Sequence, residues 1–433
     1  MAGYGSVEWV RDESSVEGGP PSDAPPAAGE GEGGPDGSGR GGRGSGTPFR
    51  WRKRHTGLSI LAVILIAAVI SIFIQLPYYA VTPGSAPEVS TLIKVPAANR
   101  HDHPGSVLLV YVELTPIRAI EYPFFWLDPN AEIDPSGAIL GTETTSQYAT
   151  EGEIDMATAQ QAATVVALRQ LGYKVPVTAL GALVYGILPG SPAAAAIQVG
   201  DVISKVNGLR VSSYLDLEKR LEGMAPGATV RLVVSAYPAG KPRTVTFNLG
   251  VFRIQGTGAQ AALVCLPEGK GTKYPIAELA TVTGGKRHPI ACLGIYPQGS
   301  GGPAIDGTAF KVGPLPVKVD LSSEGIVGPS AGLAFTLGLM AELDPADLTG
   351  GLKVAATGTM SIDGSVGDVG GVAQKTIAVR GAGASVFLVP KQEYAVAKSR
   401  AGPNLRVYAV SSISQAIHIL ESLGGRVART TSG

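Results

Sequence analysis

The chain has 433 residues, of which 44% are hydrophobic and 16% charged, and its 35 basic side chains equal its 35 acidic ones. This length and apolar content suit two or three folded domains, and the zero net charge does not favour a nucleic-acid partner. Because no base-reading motif occurs either, we expect no nucleic acid to bind.

The first fifty residues are rich in Gly, Pro and Ser, and large apolar side chains are scarce among them. Such a segment cannot bury enough surface to offset the entropy lost on ordering. We therefore predict a disordered cytoplasmic segment at 1–50.

Residues 57–76 form an uncharged apolar run that is long enough to cross one bilayer. Basic residues cluster at 50–54 before it, whereas Lys94 is the only basic residue among the twenty that follow. The positive-inside rule then predicts a single-pass transmembrane helix, in contact with membrane lipid, that places everything after Pro77 outside the cytoplasm. A cleaved signal peptide or a buried core helix is the alternative, but the run is long and far from the first residue.

Two elements are predicted between this run and residue 173. Residues 106–112 are apolar and β-branched, as in a strand, and residues 155–171 have the periodicity of a helix. The sequence His-Asp-His at 101–103 lies in a polar loop with no third ligand at a metal-binding spacing. We interpret these histidines as exposed side chains and expect no metal site.

Residues 174–250 contain the signals of a small β-rich domain. Asn207 and Gly208 are typical of a hairpin turn, and residues 214–221 have a helical apolar stripe. Strands are predicted at 230–234 and 245–249.

This segment also resembles a PDZ domain of the bacterial protease-associated type. The matching motifs are LPGSPAA at 188–194, GDVI at 200–203, VNG at 206–208 and LDL at 215–217. The resemblance implies a module that binds an extended peptide at a sheet edge beside the helix, with backbone N–H groups of a loop receiving the terminal carboxylate. Residues 181–184 are the candidate for this loop in the peptide groove, and an ordinary tight turn is the alternative. Protein or peptide substrates are the implied partners.

Residues 251–288 are Gly-rich, and within them only 261–266 suit a strand, so we treat the segment as an insertion of unknown role. Cys265 and Cys292 are the two cysteines of the chain. Both lie in the part predicted to be extracytoplasmic, where a disulfide persists. The sequence leaves open whether they form a bridge or remain two buried thiols.

Residues 289–425 alternate strands and helices in an α+β pattern. The predicted strands are 317–321, 354–357 and 386–389. The predicted helices follow Ser330, Gly371, Gln392 and Ser412.

A serine stands at the start of the first of these helices. Ser330 lies in GPSAG at 328–332, and the apolar run after it predicts a buried helix. The free N–H groups and positive dipole end of such a helix suit the oxyanion that forms when a serine attacks a peptide carbonyl. None of the five histidines lies in a recognisable catalytic motif, so a desolvated lysine such as Lys375 is the more suitable base.

These residues resemble the proteolytic domain of Lon-type serine proteases. The matching motifs are GPSAG at 328–332, ATGT at 356–359, GSVGDVGG at 364–371 and GAG at 381–383. The resemblance implies that Ser330 is the nucleophile, that Lys375 is the base and that Thr357 helps to orient the lysine. The chain departs from many Lon enzymes at Val327, where they have an acidic residue.

The strand and helix predicted within 77–173 resemble the beginning of a Lon proteolytic domain. We therefore predict an α+β fold in which a Lon-type domain, 77–173 with 289–425, contains an inserted PDZ domain at 174–250 and follows one N-terminal transmembrane helix. No phosphate loop of the form GxxxxGK[ST] occurs, so we expect neither ATP hydrolysis nor any cofactor.

The sequence predicts a membrane-anchored serine endopeptidase that acts without ATP. The alternative is a peptide-binding scaffold or sensor with a catalytically silent Lon-like fold. Lon-like domains often assemble in rings, so the resemblance also implies a homo-oligomer.

Overall fold

The computed structural model describes residues 53–141, 144–237, 240–255, 262–267, 276–278, 280–283, 286–296, 307–323 and 325–428. The segment predicted to be disordered, 1–50, lies outside them. The chain divides into two compact units, one that ends at Val69 and one that begins at Ile70.

Helices occur near both ends of the chain and in the PDZ-like segment. They are α1 (Lys53–Phe73), α2 (Tyr122–Leu127), α3 (Ser136–Leu140), α4 (Thr145–Gln170), α5 (Tyr214–Leu221), α6 (Gly332–Leu343), α7 (Val372–Gly381), α8 (Tyr394–Arg400) and α9 (Ile413–Ser422). The helices predicted after Ser330, Gly371, Gln392 and Ser412 are confirmed as α6 to α9, and the helix predicted at 214–221 as α5.

The strands are short and numerous. They are β1 (Gln75–Pro83), β2 (Ile93–Lys94), β3 (Ser106–Leu109), β4 (Val112–Arg118), β5 (Glu132–Pro135), β6 (Val177–Leu183), β7 (Gly186–Ile187), β8 (Asp201–Val206), β9 (Leu209–Arg210), β10 (Thr229–Ala236), β11 (Arg243–Asn248), β12 (Gly250–Gln255), β13 (Ala262–Pro267), β14 (Ile276–Glu278), β15 (Ala280–Thr283), β16 (Lys286–Pro289), β17 (Ala291–Cys292), β18 (Ile295–Tyr296), β19 (Thr308–Val312), β20 (Asp320–Leu321), β21 (Lys353–Ala356), β22 (Thr359–Met360), β23 (Val366–Gly367), β24 (Val386–Pro390) and β25 (Arg406–Val410).

Helix α1 covers most of the apolar run, but it ends at Phe73. Gln75 already belongs to β1 and pairs with Arg118 of β4, so the predicted end of the helix at 76 is corrected. Among the helices that the structure describes, none combines the length and apolarity that a bilayer crossing requires. The transmembrane helix predicted at 57–76 is therefore not supported.

Helix α4 begins ten residues before the predicted start at 155. Thr144 forms a capping box with Gln147: the Thr144 hydroxyl accepts from the Gln147 N–H, and the Gln147 side chain accepts from the Thr144 N–H. Such reciprocal bonds satisfy N–H groups that a helix start leaves free. The longer helix packs along α6.

The Lon-like part contains a four-stranded sheet in the order β25-β24-β21-β3, with parallel pairing throughout. Strand β3 comes from before the PDZ-like segment, and Ser106 pairs with Lys353 of β21 beyond it. Segments on both sides of the PDZ-like segment thus share one sheet. Helices α4 and α6 also share one core, which includes Ala163, Leu168, Leu333 and Phe335.

Two predicted strands differ from those observed. The strand predicted at 106–112 is divided into β3 and β4, which belong to different sheets, and the N–H of Tyr111 between them donates to the Ser85 carbonyl. The strand predicted at 317–321 is reduced to β20, which pairs with β2.

The PDZ-like segment forms a sheet in the order β11-β10-β8-β6-β19, with β9 paired to β8. The predicted hairpin is confirmed: Asn207 and Gly208 have φ of 50° and 84°, and Val206 pairs with Leu209. Positive φ at both turn residues is what a two-residue hairpin loop requires. The strands predicted at 230–234 and 245–249 are present as β10 and β11.

Cys265 and Cys292 form a disulfide, with their Cα atoms 6.0 Å apart. It joins β13 to β17, both of which pair with β12. Leu188 of the PDZ-like segment packs against both cysteines. The question that the sequence left open is thus answered in favour of the bridge.

Candidate active site

Ser330 lies in a single 3-10 turn, Pro329–Ala331, that leads directly into α6. The turn is anchored through Gly328, whose N–H donates to the Gly152 carbonyl of α4 at 2.8 Å. Gly328 has a φ of 92°, a conformation that glycine adopts without the steric penalty of a side chain. Helix α4 thereby holds the serine turn from one side.

Helix α6 is a rigid support for this turn because all of its residues except Ala341 are buried. The turn is also tied to the loop after β21. Gly358 donates its N–H to the Ser330 carbonyl at 2.9 Å, and Leu333 donates to the Gly358 carbonyl at 3.0 Å. These bonds fix the serine backbone relative to the parallel sheet.

Lys375 lies in the first turn of α7 and is 3% exposed. Its burial lowers the pKa of the ammonium from its ordinary value of 10.5 to about 8, while the negative charge of Glu393 acts in the opposite direction. Burial disfavours the charged form of an amine. A substantial fraction of this lysine is therefore neutral just above physiological pH.

Thr357 connects the lysine to the serine. Its side chain is fully buried, and its hydroxyl donates to the Ser330 carbonyl at 3.3 Å. The Lys375 amine donates to the same hydroxyl oxygen at 3.4 Å. Lys375, Thr357 and Ser330, the three residues that the sequence predicted, thus form one hydrogen-bonded chain. Val327, which lies just outside this chain, is 47% exposed.

Sequence reasoning missed Glu393, which follows β24 in a 3-10 turn. Its carboxylate accepts from the Val369 N–H at 3.3 Å, and burial and the charge of Asp368 raise its pKa. The sequence signal that could have found Glu393 is its position after a strand. Glu393 follows β24 as Thr357 follows β21, and the carboxyl ends of neighbouring parallel strands lie at the same edge of a sheet.

A second missed residue is Gln374, which precedes the lysine. It is 5% exposed, and its amide donates to Glu132 of β5 at 3.1 Å. This bond joins α7 to the three-stranded sheet β4-β1-β5.

The histidines at 101–103 differ from prediction in being half-buried rather than exposed. The His103 ring lies 2.9 Å from the Asp344 carbonyl, at the opposite end of α6 from Ser330. Throughout the described ranges, no group of three His, Cys, Asp or Glu side chains is placed to hold a metal ion.

The carboxylate-binding loop predicted at 181–184 is not a loop beside an open strand edge, since residues 181–183 belong to β6. Ala182 pairs with Ile203 of β8 on one side and with Thr308 of β19 on the other. The ends of this sheet are β11 and β19. The prediction failed because β19, which pairs with β6, follows the insertion in the sequence. No local sequence pattern indicates a pairing between segments so far apart.

Two family models match the chain. A PDZ domain model matches residues 166–249, and a model of the Lon protease (S16) C-terminal proteolytic domain matches residues 310–419. The chain therefore contains a PDZ domain and a Lon-type proteolytic domain. Both occur within an α+β structure.

The chain is also similar to a curated protein and to solved structures, of which a PDZ domain is an example. A probable periplasmic serine endoprotease DegP-like of Bartonella henselae is 33% identical over 140 residues, which cover 27% of each chain, so this chain spans about a quarter of that relative. The PDZ domain of the SdrC-like protein from Listeria monocytogenes is 23% identical, with 17% of this chain and 76% of that chain covered and a TM-score of 0.16.

Proposed function

We propose that this chain, a PDZ domain combined with a Lon-type serine protease domain, is an endopeptidase in which Ser330 is the nucleophile and Lys375 the general base. The observation that carries the proposal is the burial of Lys375, which lowers the pKa of its amine to about 8. The bond from Lys375 to Thr357, which in turn bonds to the Ser330 carbonyl, supports it.

In this mechanism the neutral Lys375 amine donates one N–H to Thr357 and directs its lone pair at the Ser330 hydroxyl. The amine takes the hydroxyl proton as the oxygen attacks the substrate carbonyl, and it later gives that proton to the leaving amine. The N–H groups of the turn at Ser330 and the positive end of α6 stabilise the oxyanion. A water molecule then releases the acyl group by the same proton transfers.

The test is labelling of the purified full chain with a fluorophosphonate probe, followed by mapping of the modified residue. We expect Ser330 to be labelled, and Ser330→Ala and Lys375→Ala each to abolish both labelling and peptide hydrolysis. Exposed Ser399 offers a matched control, since Ser399→Ala is expected to change neither. Near-normal hydrolysis by Ser330→Ala would favour the silent scaffold.

The absence of a phosphate loop from the sequence supports action without ATP. Substrates are then flexible or already unfolded segments, which the PDZ domain binds. Because β6 is paired on both sides, we place the bound peptide at the outer edge of β19, where a strand can be added. Peptide photo-crosslinking to Ser330→Ala, mapped by mass spectrometry, tests this: labels on β19 support it, and labels confined to β11 contradict it.

We further propose an extracytoplasmic location for the protease. The Cys265–Cys292 disulfide supports it, because such bonds persist outside the reducing cytoplasm. The name of the Bartonella henselae relative, a probable periplasmic endoprotease, agrees with it. Alkylation of freshly lysed cells should find both thiols blocked; two free thiols in the native protein would contradict this location.

The proposal includes attachment to a membrane through the apolar run at 57–76. Ile60, Val63 and Ile66 of α1 are 59, 65 and 60% exposed, which leaves apolar surface that a lipid environment would cover. The basic cluster at 50–54 supports a cytoplasmic N-terminus. Protease added to intact cells should therefore remove an epitope placed at residue 433 but spare one at residue 1, and the reverse result would refute this orientation.

A further inference from the structure

Helix α2 buries none of its residues, although its sequence is YPFFWL. Phe124, Trp126 and Leu127 are 72, 70 and 71% exposed, and Tyr122 is 37% exposed. Single exposed apolar residues are ordinary, but four in one six-residue helix form a patch of the kind that marks an interaction surface.

This surface is continuous with the end of the apolar run. The N–H of Ala119, just before α2, donates to the Ile74 carbonyl at 2.9 Å. The Tyr78 ring lies edge-on to the Tyr122 ring, with centroids 6.2 Å apart. Phe73 is 81% exposed and belongs, like α2, to the compact unit that begins at Ile70.

We propose that this aromatic patch lies in the headgroup region of a lipid bilayer. The patch comprises Phe73, Ile74, Tyr78, Tyr122, Phe124, Trp126 and Leu127. The inference rests on the membrane attachment proposed above, which brings a bilayer to Phe73 and thus to the residues beside it. Tyr and Trp rings concentrate at the membrane interface, where one end of the side chain is apolar and the other wet.

The charged residues that flank α2 indicate how the helix is oriented at the membrane interface. Glu121 precedes it and Asp128 follows it; Glu121 is half-buried and Asp128 is exposed. A helix of six residues is only about 9 Å long, so it lies along the interface with its acidic ends in water. Since both flanking charges are negative, apolar burial rather than attraction to anionic lipid drives the contact, and salt has little effect on it.

Docking of α2 also sets the distance of the active site from the bilayer. Glu132, which accepts the bond from Gln374, lies five residues after Leu127, or at most about 18 Å of extended chain. Gln374 is the neighbour of Lys375. The catalytic centre is therefore held close to the membrane surface, and its substrates are membrane-attached proteins cleaved in segments near the bilayer.

Depth-dependent fluorescence quenching tests the docking of α2. The chain has three tryptophans, so Trp9→Phe with Trp51→Phe in the Ser330→Ala background leaves Trp126 as the only one. The full chain is reconstituted in phosphatidylcholine vesicles brominated either near the headgroup or deep in the acyl chain. We expect Trp126 to be quenched in both, more strongly by the shallow bromines, and equally at low and high salt.

A matched control replaces Trp126 with Phe and places the single tryptophan in the PDZ hairpin by Leu209→Trp, where the native side chain is 56% exposed. That tryptophan should not be quenched. If the protein floats with the vesicles but Trp126 is not quenched, this inference is wrong and the membrane attachment stands. A protein that does not float overturns the attachment as well. A further outcome is that Trp126 is unquenched in vesicles with its emission shifted to the blue both there and in detergent. That result would mean that a second copy covers the patch, and it would also overturn the inference.

A second variant tests the substrate class. Phe124→Ser combined with Trp126→Ser should leave hydrolysis of a soluble peptide unchanged but cause a selective loss of cleavage of a vesicle-anchored substrate whose site lies near the bilayer. Moving the cleavage site away from the bilayer by a long Gly/Ser linker should remove the difference between variant and wild type. Equal cleavage of the anchored substrate by both proteins would refute the role of the patch, whatever the identity of the catalytic pair.

Discussion

The burial of Lys375 is expected to set the pH dependence of catalysis. Only the neutral amine accepts a proton, and its pKa is about 8, so kcat/KM should rise about tenfold per pH unit below that value and level off above it. Lys375→Arg should be inactive at every pH, because a guanidinium stays protonated. Peptide hydrolysis measured from about pH 6 to about pH 10 checks both expectations. A flat profile would contradict the role of this lysine.

The same burial is expected to cost stability at neutral pH. The unfolded lysine, with its ordinary pKa of 10.5, holds a proton more firmly than the folded one, so the free energy of unfolding should rise with pH between about 8 and 10.5. Lys375→Met should therefore raise the free energy of unfolding at pH 7 by on the order of 2 kcal/mol, a gain that shrinks as the pH rises through this window. Urea unfolding measures it, with exposed Lys398→Met as a control expected to change little.

Glu393 is expected to adjust the base. Its negative charge raises the pKa of Lys375, against the larger effect of burial. Glu393→Gln keeps an oxygen that can accept from Val369 but removes the charge, so the pH–activity profile should move to lower pH. A lower rate with an unmoved profile would indicate a structural role only.

At the residue scale, the sequence predicted most accurately those site residues that lie in or beside a recognisable motif. Ser330 and Thr357 stand in glycine-rich motifs and Lys375 lies shortly after one, and the structure brings the three into one hydrogen-bonded chain. Glu393 has no motif. Its charge acts on Lys375 because it follows β24, which lies beside β21, and that neighbourhood is a property of the sheet.

At the element scale, the packing of α4 against α6 supports the serine turn. Ala163 of α4 is fully buried in the core that it shares with α6. Ala163→Leu should force extra volume into that core and lower the free energy of unfolding by about 1–3 kcal/mol. Exposed Ala157 on the same helix provides the matched control, since Ala157→Leu should change it by less than about 0.5 kcal/mol. Urea unfolding of both variants checks this, and equal effects would contradict the packing.

Elements with strong local signals could be predicted from the sequence, and elements without them could not. Helix α5 and the turn at Asn207 have apolar periodicity and turn chemistry, and both are where the sequence placed them. The start of α4 was missed although Thr144 and Gln147 have the spacing of a capping box. Helix α2 has no buried face and hence no periodicity to detect.

At the scale of the whole molecule, the sheet and core shared by segments on both sides of the PDZ domain depend most on distant contacts. Residues before the PDZ domain supply β3 and α4, and residues after the insertion supply β19 to the PDZ sheet itself. The segment after the insertion therefore receives a strand from the segment before the PDZ domain and supplies a strand to the PDZ sheet. Strand pairing between such remote segments leaves no trace in local periodicity, which is why β19 was not predicted as a partner of β6.

This exchange predicts that a fragment of residues 307–433 cannot fold alone. It would lack β3 at the edge of its parallel sheet and the buried face of α4, and Leu333 and Phe335 of α6 would face water. Exposing that much apolar surface costs more than the marginal stability of a domain of this size.

Adding a second fragment, residues 70–175, should restore the missing strand and helix. We expect 307–433 alone to unfold in urea without a cooperative transition, and the equimolar mixture to show one. The same mixture made with Ala163→Leu in the shorter fragment should associate more weakly, because the substitution lies in the contact between α4 and α6. If 307–433 unfolded cooperatively by itself, the segment before the PDZ domain would be an addition to the proteolytic domain and not a part of it.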